Sequence, residues 1–481
     1  MTPRILSHTI DDVKQLTFVI IVASVLLLYF PSLNYYFLQD DWFVLNWAQS
    51  GDFASFVAFR TDIIYWRPLS MPLLFLFANN LFGLNPLGYH LFAFAIFFLL
   101  TLTIFKLFLV FGFDQKISLT SAFLYSIWPI HYISLSWFST TSYIIGPLFQ
   151  VLSLIFFIKF VKEKRKLFFI FSFLSFLLGI ASLEFTSVLP LIFLAWGFFV
   201  NKNIYIKYVS PYLVVNLIYF FFRFYLFPVP AKDDYQLFFD KQIINNFSWY
   251  LAWSMGLPES FKSLVFLKLP DQSIKVLTQF WQITIPFFLL SILVLKLLLK
   301  KLKKNLRFYL FGISWFSLGL LPVITVTNHS FPMYLSLSGV GFLYMLAITL
   351  RNSTKKAWIL LITLWSLISI ANLQFTRNTH WIRNEQAISK AYADFIKKIV
   401  SLPPEESIFH FKPADVEFAA RHHFYLVETE NTLRQSLADQ NAAQVIYNDS
   451  TLKSFYSQHQ SELSFSPDLI VFEIYPKKTD D

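Results

Sequence analysis

Residues 16–42 read LTFVIIVASVLLLYFPSLNYYFLQDDW, an apolar run followed closely by two adjacent carboxylates. The run from Leu16 to Phe37 is about 20 residues long, enough for an α-helix to cross a bilayer. Asp40 and Asp41 therefore fall at the predicted boundary between membrane and water. Because carboxylates are costly in hydrocarbon and neighbouring carboxylates repel each other, this pair predicts a functional site.

The composition extends the membrane assignment to most of the chain. Of 481 residues, 56% are hydrophobic and only 14% are charged, which is more apolar surface than one soluble core can bury. Apolar runs of spanning or nearly spanning length recur, and we predict about eleven transmembrane helices. They cover residues 16–37, 88–111, 118–136, 142–160, 167–182, 187–200, 208–227, 276–299, 308–327, 333–350 and 357–374.

The basic residues predict the orientation. If the spans alternate, five loops rich in Lys and Arg all lie on one side, at 106–116, 159–166, 202–207, 296–307 and 351–356. The positive-inside rule makes that side cytoplasmic, so we expect a multi-pass protein of the plasma or inner membrane with a cytoplasmic N-terminus. Asp40 and Asp41 then face outward. These loops account for the net charge of +10, so no nucleic-acid partner is predicted.

The chain contains no cysteine. This excludes disulfides and thiolate metal sites, so its outer parts must be held together by packing.

The first outer loop, residues 38–87, is long enough to hold structure of its own. Its short apolar stretches at 53–60 and 69–83 are predicted to be helices in the membrane interface that frame a groove. The outer region 228–275 has a similar composition. We expect another interfacial helix there, around Phe247 to Trp253.

The residues after the last span predict a separate unit. A polar helix is expected from about Ile382 to Val400. Short β-rich runs at 407–412, 422–427, 443–447 and 468–475 then predict a small extracytoplasmic α/β domain. We therefore divide the chain into a transmembrane domain, 1–384, with its site in loop 38–87, and a soluble domain, 385–481.

The order of motifs in the first loop resembles a known family. An acidic pair at 40–41 is followed by Arg-Pro-Leu at 67–69, Phe-Gly at 82–83 and Tyr-His at 89–90. This order resembles the GT-C membrane glycosyltransferases, closest to the branch of protein O-mannosyltransferases and aminoarabinose transferases. The resemblance implies an all-α polytopic fold and inverting transfer of a sugar from a polyprenyl-phosphate donor to a glycan, lipid or protein acceptor outside the membrane.

The acidic pair suits such a reaction, because the acceptor hydroxyl needs a base. Neighbouring side chains of an extended segment point to opposite faces. We therefore expect one of Asp40 and Asp41 to face the acceptor while the other anchors the loop or holds a divalent cation. The need for a metal or cofactor is left open. An exposed acidic helix end is the alternative.

Arg67 and His90 are the candidate ligands of the donor phosphate. A guanidinium can hold two phosphate oxygens and keeps its charge at any relevant pH. Alternatively, Arg67 buries the apolar part of its side chain beside Trp66 and keeps its charged end at the membrane interface. His90, at the start of the second span, is either a phosphate or loop ligand or a histidine satisfied at a helix start.

Glu184, His329 and Tyr334 are candidate substrate-binding residues on the same outer face. Glu184 interrupts an apolar run, which predicts a polar partner, either a substrate or a structural Arg such as Arg223. His329 and Tyr334 resemble the polar late loop of the family, although its usual Arg is replaced here by Phe331-Pro-Met.

Charged and aromatic side chains just after the last span are interpreted as packing contacts or as an amphipathic interfacial helix. They are Arg377, His380, Trp381, Arg383 and Glu385.

Two other functions remain open. A flippase or transporter of lipid-linked sugars should carry ionisable groups at mid-span and broken helices in paired halves. A non-catalytic scaffold would have no reason to place Asp40, Arg67 and Glu184 on one side of the membrane.

Overall fold

A computed structural model of the chain describes residues 18–61, 63–201, 206–227, 235–266, 275, 277–351, 353–423, 429–456 and 470–476. The described part is largely helical, with a small sheet near its C-terminal end. The helices, numbered in chain order, are α1 (Phe18–Asn34), α2 (Asp40–Ser50), α3 (Phe53–Val57), α4 (Pro72–Phe82), α5 (Pro86–Val110), α6 (Gln115–Ser126), α7 (Tyr132–Ser136), α8 (Ser142–Glu163), α9 (Lys166–Ile180), α10 (Leu189–Phe199), α11 (Ile206–Phe220), α12 (Gln242–Ser254), α13 (Phe261–Phe266), α14 (Trp281–Leu320), α15 (Leu335–Leu350), α16 (Lys355–Thr379), α17 (Trp381–Ile399), α18 (Val416–Arg421), α19 (Glu430–Ser436) and α20 (Asn441–Tyr447).

Six helical segments in the described ranges are long and apolar enough to cross a membrane. They are Pro86–Val110, Phe138–Glu163, Ile206–Leu226, Trp281–Leu320, Pro332–Leu350 and Lys355–Thr379. Shorter apolar helices occupy Phe18–Asn34, Pro72–Phe82, Lys166–Ile180 and Glu184–Phe199. The chain is thus a multi-pass membrane protein, but the predicted count of eleven spans is not confirmed.

The longest helix, α14, is interrupted in the middle. Asn305 has φ −123° and ψ 22°, outside the helical region. A continuous helix of this length would measure about 60 Å, twice the thickness of a hydrocarbon core. The break falls within the basic run 296–307, where the sequence predicts a loop between two spans.

The predicted interfacial helices of the outer face are present as helices. Helices α3 and α4 lie within the stretches 53–60 and 69–83, and α12 includes 247–253. Residues 228–234, the first part of the outer region 228–275, lie outside the described residues, as do residues 16–17 of the first predicted span.

The sheet near the C-terminus has three parallel strands in the order β2-β1-β3. They are β1 (Ile408–Phe411), β2 (Lys453–Tyr456) and β3 (Val471–Ile474). Helices α18 to α20 lie between β1 and β2, since parallel neighbours require a long crossover.

The strand predictions for this region are partly wrong. The runs at 407–412 and 468–475 contain β1 and β3, but 443–447 belongs to helix α20, and β2 was not predicted. Short apolar runs do not distinguish strand from helix by periodicity alone. The run 422–427 lies mostly outside the described residues.

Helices α17 to α20 and the three strands form a C-terminal unit, and this unit shares one hydrophobic core with the first outer loop. Trp42 and Leu45 of α2 belong to the same buried cluster as Tyr392 of α17 and Phe409 and Phe411 of β1. The predicted division between residues 384 and 385 falls inside α17. The C-terminal unit therefore packs directly on the loop that carries the acidic pair.

Candidate functional site

The outer loop, the segments near 184 and 330, α11 and α17 surround a cavity of about 1510 Å³. This exceeds the usual size of a small-molecule site, about 300–1,000 Å³. Its lining includes Asp40, Arg67, Glu184, His329 and Tyr334. The sequence places these residues on one face, and the fold brings them to one cavity.

The two neighbouring carboxylates lie at the start of helix α2, and their surroundings differ. They are its first two residues, so the expected extended segment is wrong at this point. Asp40 lines the cavity, while Asp41 is only 1% exposed. Only the first carboxylate of the pair faces the cavity.

Asp41 is held by the backbone and side chain of Ser139. Its Oδ1 accepts hydrogen bonds from the Ser139 N–H at 2.7 Å and from the Ser139 hydroxyl at 2.5 Å. Its Oδ2 accepts one from the Leu38 N–H at 3.3 Å. Burial raises the pKa of the Asp41 carboxyl to about 7, although the bonds from Ser139 oppose this. Asp41 thus ties α2 to the segment before α8.

Gln39, directly before the pair, has an uncommon backbone conformation. Its φ is 46° and its ψ −121°, a region that costs a non-glycine residue on the order of 1–3 kcal/mol. Such a conformation persists only where surrounding contacts impose it. The Gln39 side-chain amide donates a hydrogen bond to the Glu385 carboxylate in α17.

Glu385 is a cavity residue whose position the sequence does not reveal. It lines the cavity and is 8% exposed. Burial raises the pKa of its carboxyl to about 7, and the bond from Gln39 lowers it. The sequence alone is interpreted as placing Glu385 in a packing contact or in an amphipathic interfacial helix.

Arg67 forms a two-pronged ion pair with Glu184. Its Nε donates to Oε2 at 2.7 Å and its Nη2 to Oε1 at 2.5 Å. The side chains are 8% and 27% exposed, respectively. Arg67 also donates to the Ser142 hydroxyl and the Tyr143 hydroxyl, both at 3.2 Å. Glu184 thus has an Arg as its polar partner, one of the two alternatives considered from the sequence, but this Arg is Arg67 and not Arg223.

Arg223 instead donates hydrogen bonds to backbone carbonyls in the segment that precedes Arg67. Its guanidinium donates to the carbonyl of Arg60 at 2.9 Å, to that of Ile63 at 2.5 Å and to that of Ile64. Arg223 lies in the π-helix Phe221–Leu226, an irregular form that is frequent at functional sites. These bonds fix the loop before Tyr65.

Tyr65 lines the cavity together with Asp40 and Arg67. The Arg67 guanidinium sits 4.9 Å from the centre of its ring. Burial, followed by the nearby charge of Asp40, raises the pKa of Tyr65 well above its ordinary value. Asp40 and Arg67 thus both line the cavity in which the Tyr65 ring lies.

A chain of aromatic and imidazole groups continues the polar wall. The His329 ring is hydrogen-bonded at Nδ1 to the Tyr334 hydroxyl, 2.7 Å away, and at Nε2 to the Tyr235 hydroxyl, 3.1 Å away. The Tyr334 and Tyr143 rings are 5.2 Å apart. Nothing in the sequence connects Tyr143 or Tyr235 with this site, because no motif or spacing distinguishes them from the other tyrosines of the chain.

His90 is not among the residues that line the cavity. It is buried, and its Nδ1 donates to the Leu135 carbonyl at 3.1 Å. It lies outside the cavity lining and acts in this structure as a packing contact between α5 and α7.

One side of the cavity is apolar and opens to the surface of the protein. Leu217, Phe220 and Phe224 line it, and Leu217 and Phe224 are 69% and 61% exposed. They repeat at helical spacing along the candidate span Ile206–Leu226. An apolar chain can therefore reach the polar groups from the side of this helix.

Within the described ranges, no three His, Asp or Glu side chains converge as a metal site. The divalent cation considered beside Asp40 and Asp41 remains a prediction.

No protein-family model matches the sequence, and no curated protein is detectably similar to it. Two similar solved structures are crystal structures of the Archaeoglobus fulgidus oligosaccharyltransferase. The apo form is 15% identical at a TM-score of 0.47, and the match covers 87% of this chain and 63% of that chain. The complex with Zn and sulfate is 16% identical at a TM-score of 0.45, covering 85% and 61%. This chain thus spans about three fifths of the length of those it matches.

Proposed function

We propose that this protein is a membrane glycosyltransferase that moves a sugar from a polyprenyl-phosphate donor to an acceptor hydroxyl on a glycan, lipid or protein outside the membrane. The observation that carries the proposal is a cavity in which Asp40 and Arg67 share space with an apolar side opening at Leu217 and Phe224. Such a donor has an anionic head and a long hydrocarbon tail. It needs a cation and an apolar exit in one cavity.

Asp40 acts as the general base in this proposal. The acceptor oxygen bonds to C1 of the sugar while the bond from C1 to the phosphate oxygen breaks, and the bonding electrons leave on the phosphate. The acceptor proton passes to Asp40. A single displacement of this kind inverts the configuration at C1.

Arg67 offsets the negative charge that develops on the leaving phosphate. Glu184 and Tyr143 hold the guanidinium against the cavity wall, so it is oriented before the donor arrives. Preorganised charge of this kind requires little rearrangement during the reaction. Of the Tyr334 and Tyr235 hydroxyls, the one that accepts from the His329 N–H can donate its own proton to the phosphate or to a sugar hydroxyl.

Donor consumption by the purified protein tests the function. In vesicles supplied with polyprenyl-phosphate-linked hexoses or pentoses, we expect one donor to be converted to free polyprenyl phosphate. Cells without the gene should lack one sugar on a surface glycan, glycolipid or glycoprotein, as read by mass spectrometry. Movement of intact donor across the vesicle membrane without its conversion would instead indicate a flippase.

The same proposal places the basic loops in the cytoplasm and the site outside. A topology reporter fused after Lys166 or after Lys304 should read cytoplasmic, and one fused after Pro403 should read exterior. The reason is the charge bias of the short loops. An exterior reading at Lys304, beside the break in α14, would contradict the assigned orientation.

A further inference from the structure

We propose that Glu385 is a positioning residue for the reaction and acts on Asp40 through Gln39, so that the C-terminal unit completes the catalytic site. The proposal rests on the function proposed above, in which Asp40 is the base. Asp40 and Glu385 line the same cavity, and Gln39, which directly precedes Asp40 in the chain, is hydrogen-bonded to Glu385.

Gln39 is held from two directions by residues after the last long span. Its side-chain amide donates to Glu385, and its backbone N–H donates to the carbonyl of Ser436 in α19 at 3.1 Å. Its own carbonyl accepts from the Trp42 N–H at 3.0 Å and so begins helix α2. The left-handed φ at Gln39 sets the direction in which Asp40 leaves the turn. The two C-terminal contacts therefore help to set where the backbone of Asp40 lies.

Further along α2, the same unit also holds the first two turns of the helix. The Trp42 indole donates to the Ser389 hydroxyl at 2.8 Å. Asn46, one turn later, donates to Asn441 Oδ1 at 2.8 Å and to Gln444 Oε1 at 2.7 Å. The helix that begins with Asp40 is thus fixed by α17 and α20 along one face.

Among these contacts, Glu385 is the one that reaches the cavity. Ser389, Ser436, Asn441 and Gln444 lie outside its lining. Glu385 is therefore placed to transmit the position of the C-terminal unit to the reacting groups. Its carboxylate serves as a hydrogen-bond acceptor in this role, and its charge is not required.

The distinction between acceptor and charge gives the test. Glu385→Gln keeps an oxygen that can accept from Gln39, whereas Glu385→Leu removes it at similar size. We expect Glu385→Gln to keep kcat within about 3-fold of the wild type, and Glu385→Leu to lower kcat by about 10-fold to 100-fold, as for a misplaced reacting group. The dissociation constant of the donor should stay unchanged in both variants. Asp394→Asn is the matched control, because Asp394 is an exposed carboxylate on the same helix.

A double-mutant cycle with Gln39→Ala tests the route. If Glu385 acts through Gln39, Gln39→Ala, Glu385→Leu and the double variant should show the same loss of kcat. Hydrogen exchange of the peptide 38–50 supplies a readout independent of turnover. Exchange should be faster in Glu385→Leu and Gln39→Ala and unchanged in Glu385→Gln.

The outcomes separate this inference from the function on which it rests. Wild-type turnover in Glu385→Leu, with Asp40→Asn inactive, would overturn the positioning role alone. A loss in Glu385→Gln as large as in Glu385→Leu would also overturn it, because the charge would then be what matters. Failure of the wild type to consume any donor would instead contradict the proposed function.

Discussion

Replacing Asp40 by Asn should lower sugar transfer by about 100-fold or more while leaving the fold intact. General bases typically contribute about 10² to 10⁴ to the rate, and an amide cannot accept the acceptor proton. Asn is well tolerated at a helix start, so α2 should form as before. Donor conversion by purified wild type and variant measures the effect, with thermal unfolding as a check on folding.

Asp52 offers the control for this prediction. It is exposed, lies in the same loop and caps α3 by accepting from the Ser55 N–H at 2.8 Å, which Asn can also do. Asp52→Asn should transfer sugar at the wild-type rate. Turnover close to wild type in Asp40→Asn would remove Asp40 from the catalytic role.

Asp41 should respond differently from its neighbour. Its Oδ1 already accepts two bonds from Ser139, and its Oδ2 faces the Leu38 N–H. In an Asn side chain one of these oxygens becomes an amide donor that faces another donor. Any loss of activity in Asp41→Asn therefore reflects the position of α2, and it gives no measure of base catalysis.

The sequence predicts which residues face outward but not which of them touch. Alternation of spans and the basic loops places Asp40, Arg67, Glu184, His329 and Tyr334 on one face, because the direction of each span fixes the side on which its ends emerge. The contacts between them depend on how the spans pack sideways. Glu184 lies 117 positions from Arg67, and no periodicity in a single chain selects Arg67 over Arg223 as its partner.

The start of helix α2 at Asp40 is marked by a local signal in the sequence. Two acidic residues followed by an apolar run favour a helix start, and α2 begins there. The adjacency of the two carboxylates alone does not distinguish this helix from the extended segment expected above. The left-handed φ at Gln39 carries no such signal, since glutamine is not a residue that favours it. That conformation depends on contacts with Ser436 and Glu385, hundreds of positions later.

In the C-terminal unit, too, the sequence predicts local elements but not their contacts with distant parts of the chain. Its helix α17 is predictable from sequence, as are two of its three strands, because local patterns mark them. Its shared core with α2 is not, since Trp42 and Tyr392 are buried by each other's elements and neither pattern names the partner. Residues that sequence analysis assigns to packing, such as Glu385, then turn out to line the cavity.

Arg67→Ala should both destabilise the protein and weaken donor binding. Removing the guanidinium leaves Glu184 largely buried without its counter-ion, and breaking such a pair costs about 3 kcal/mol or more. Loss of a charge-assisted phosphate contact should lower donor affinity by about 10-fold to 100-fold. Arg67→Lys should recover part of both, because it keeps the charge but loses the planar fork.

A double substitution separates the two effects. In Arg67→Met/Glu184→Met neither charge remains, and a buried ion pair replaced by apolar side chains of similar size is often neutral or stabilising. We therefore expect the unfolding midpoint to return to the wild-type value or above it. Donor affinity should remain as low as in Arg67→Ala, because the cation that faces the phosphate is still missing. Titration of the purified variants with donor reads this directly. If the double variant binds donor as tightly as the wild type, Arg67 is only the structural partner of Glu184, and the phosphate is bound elsewhere in the cavity.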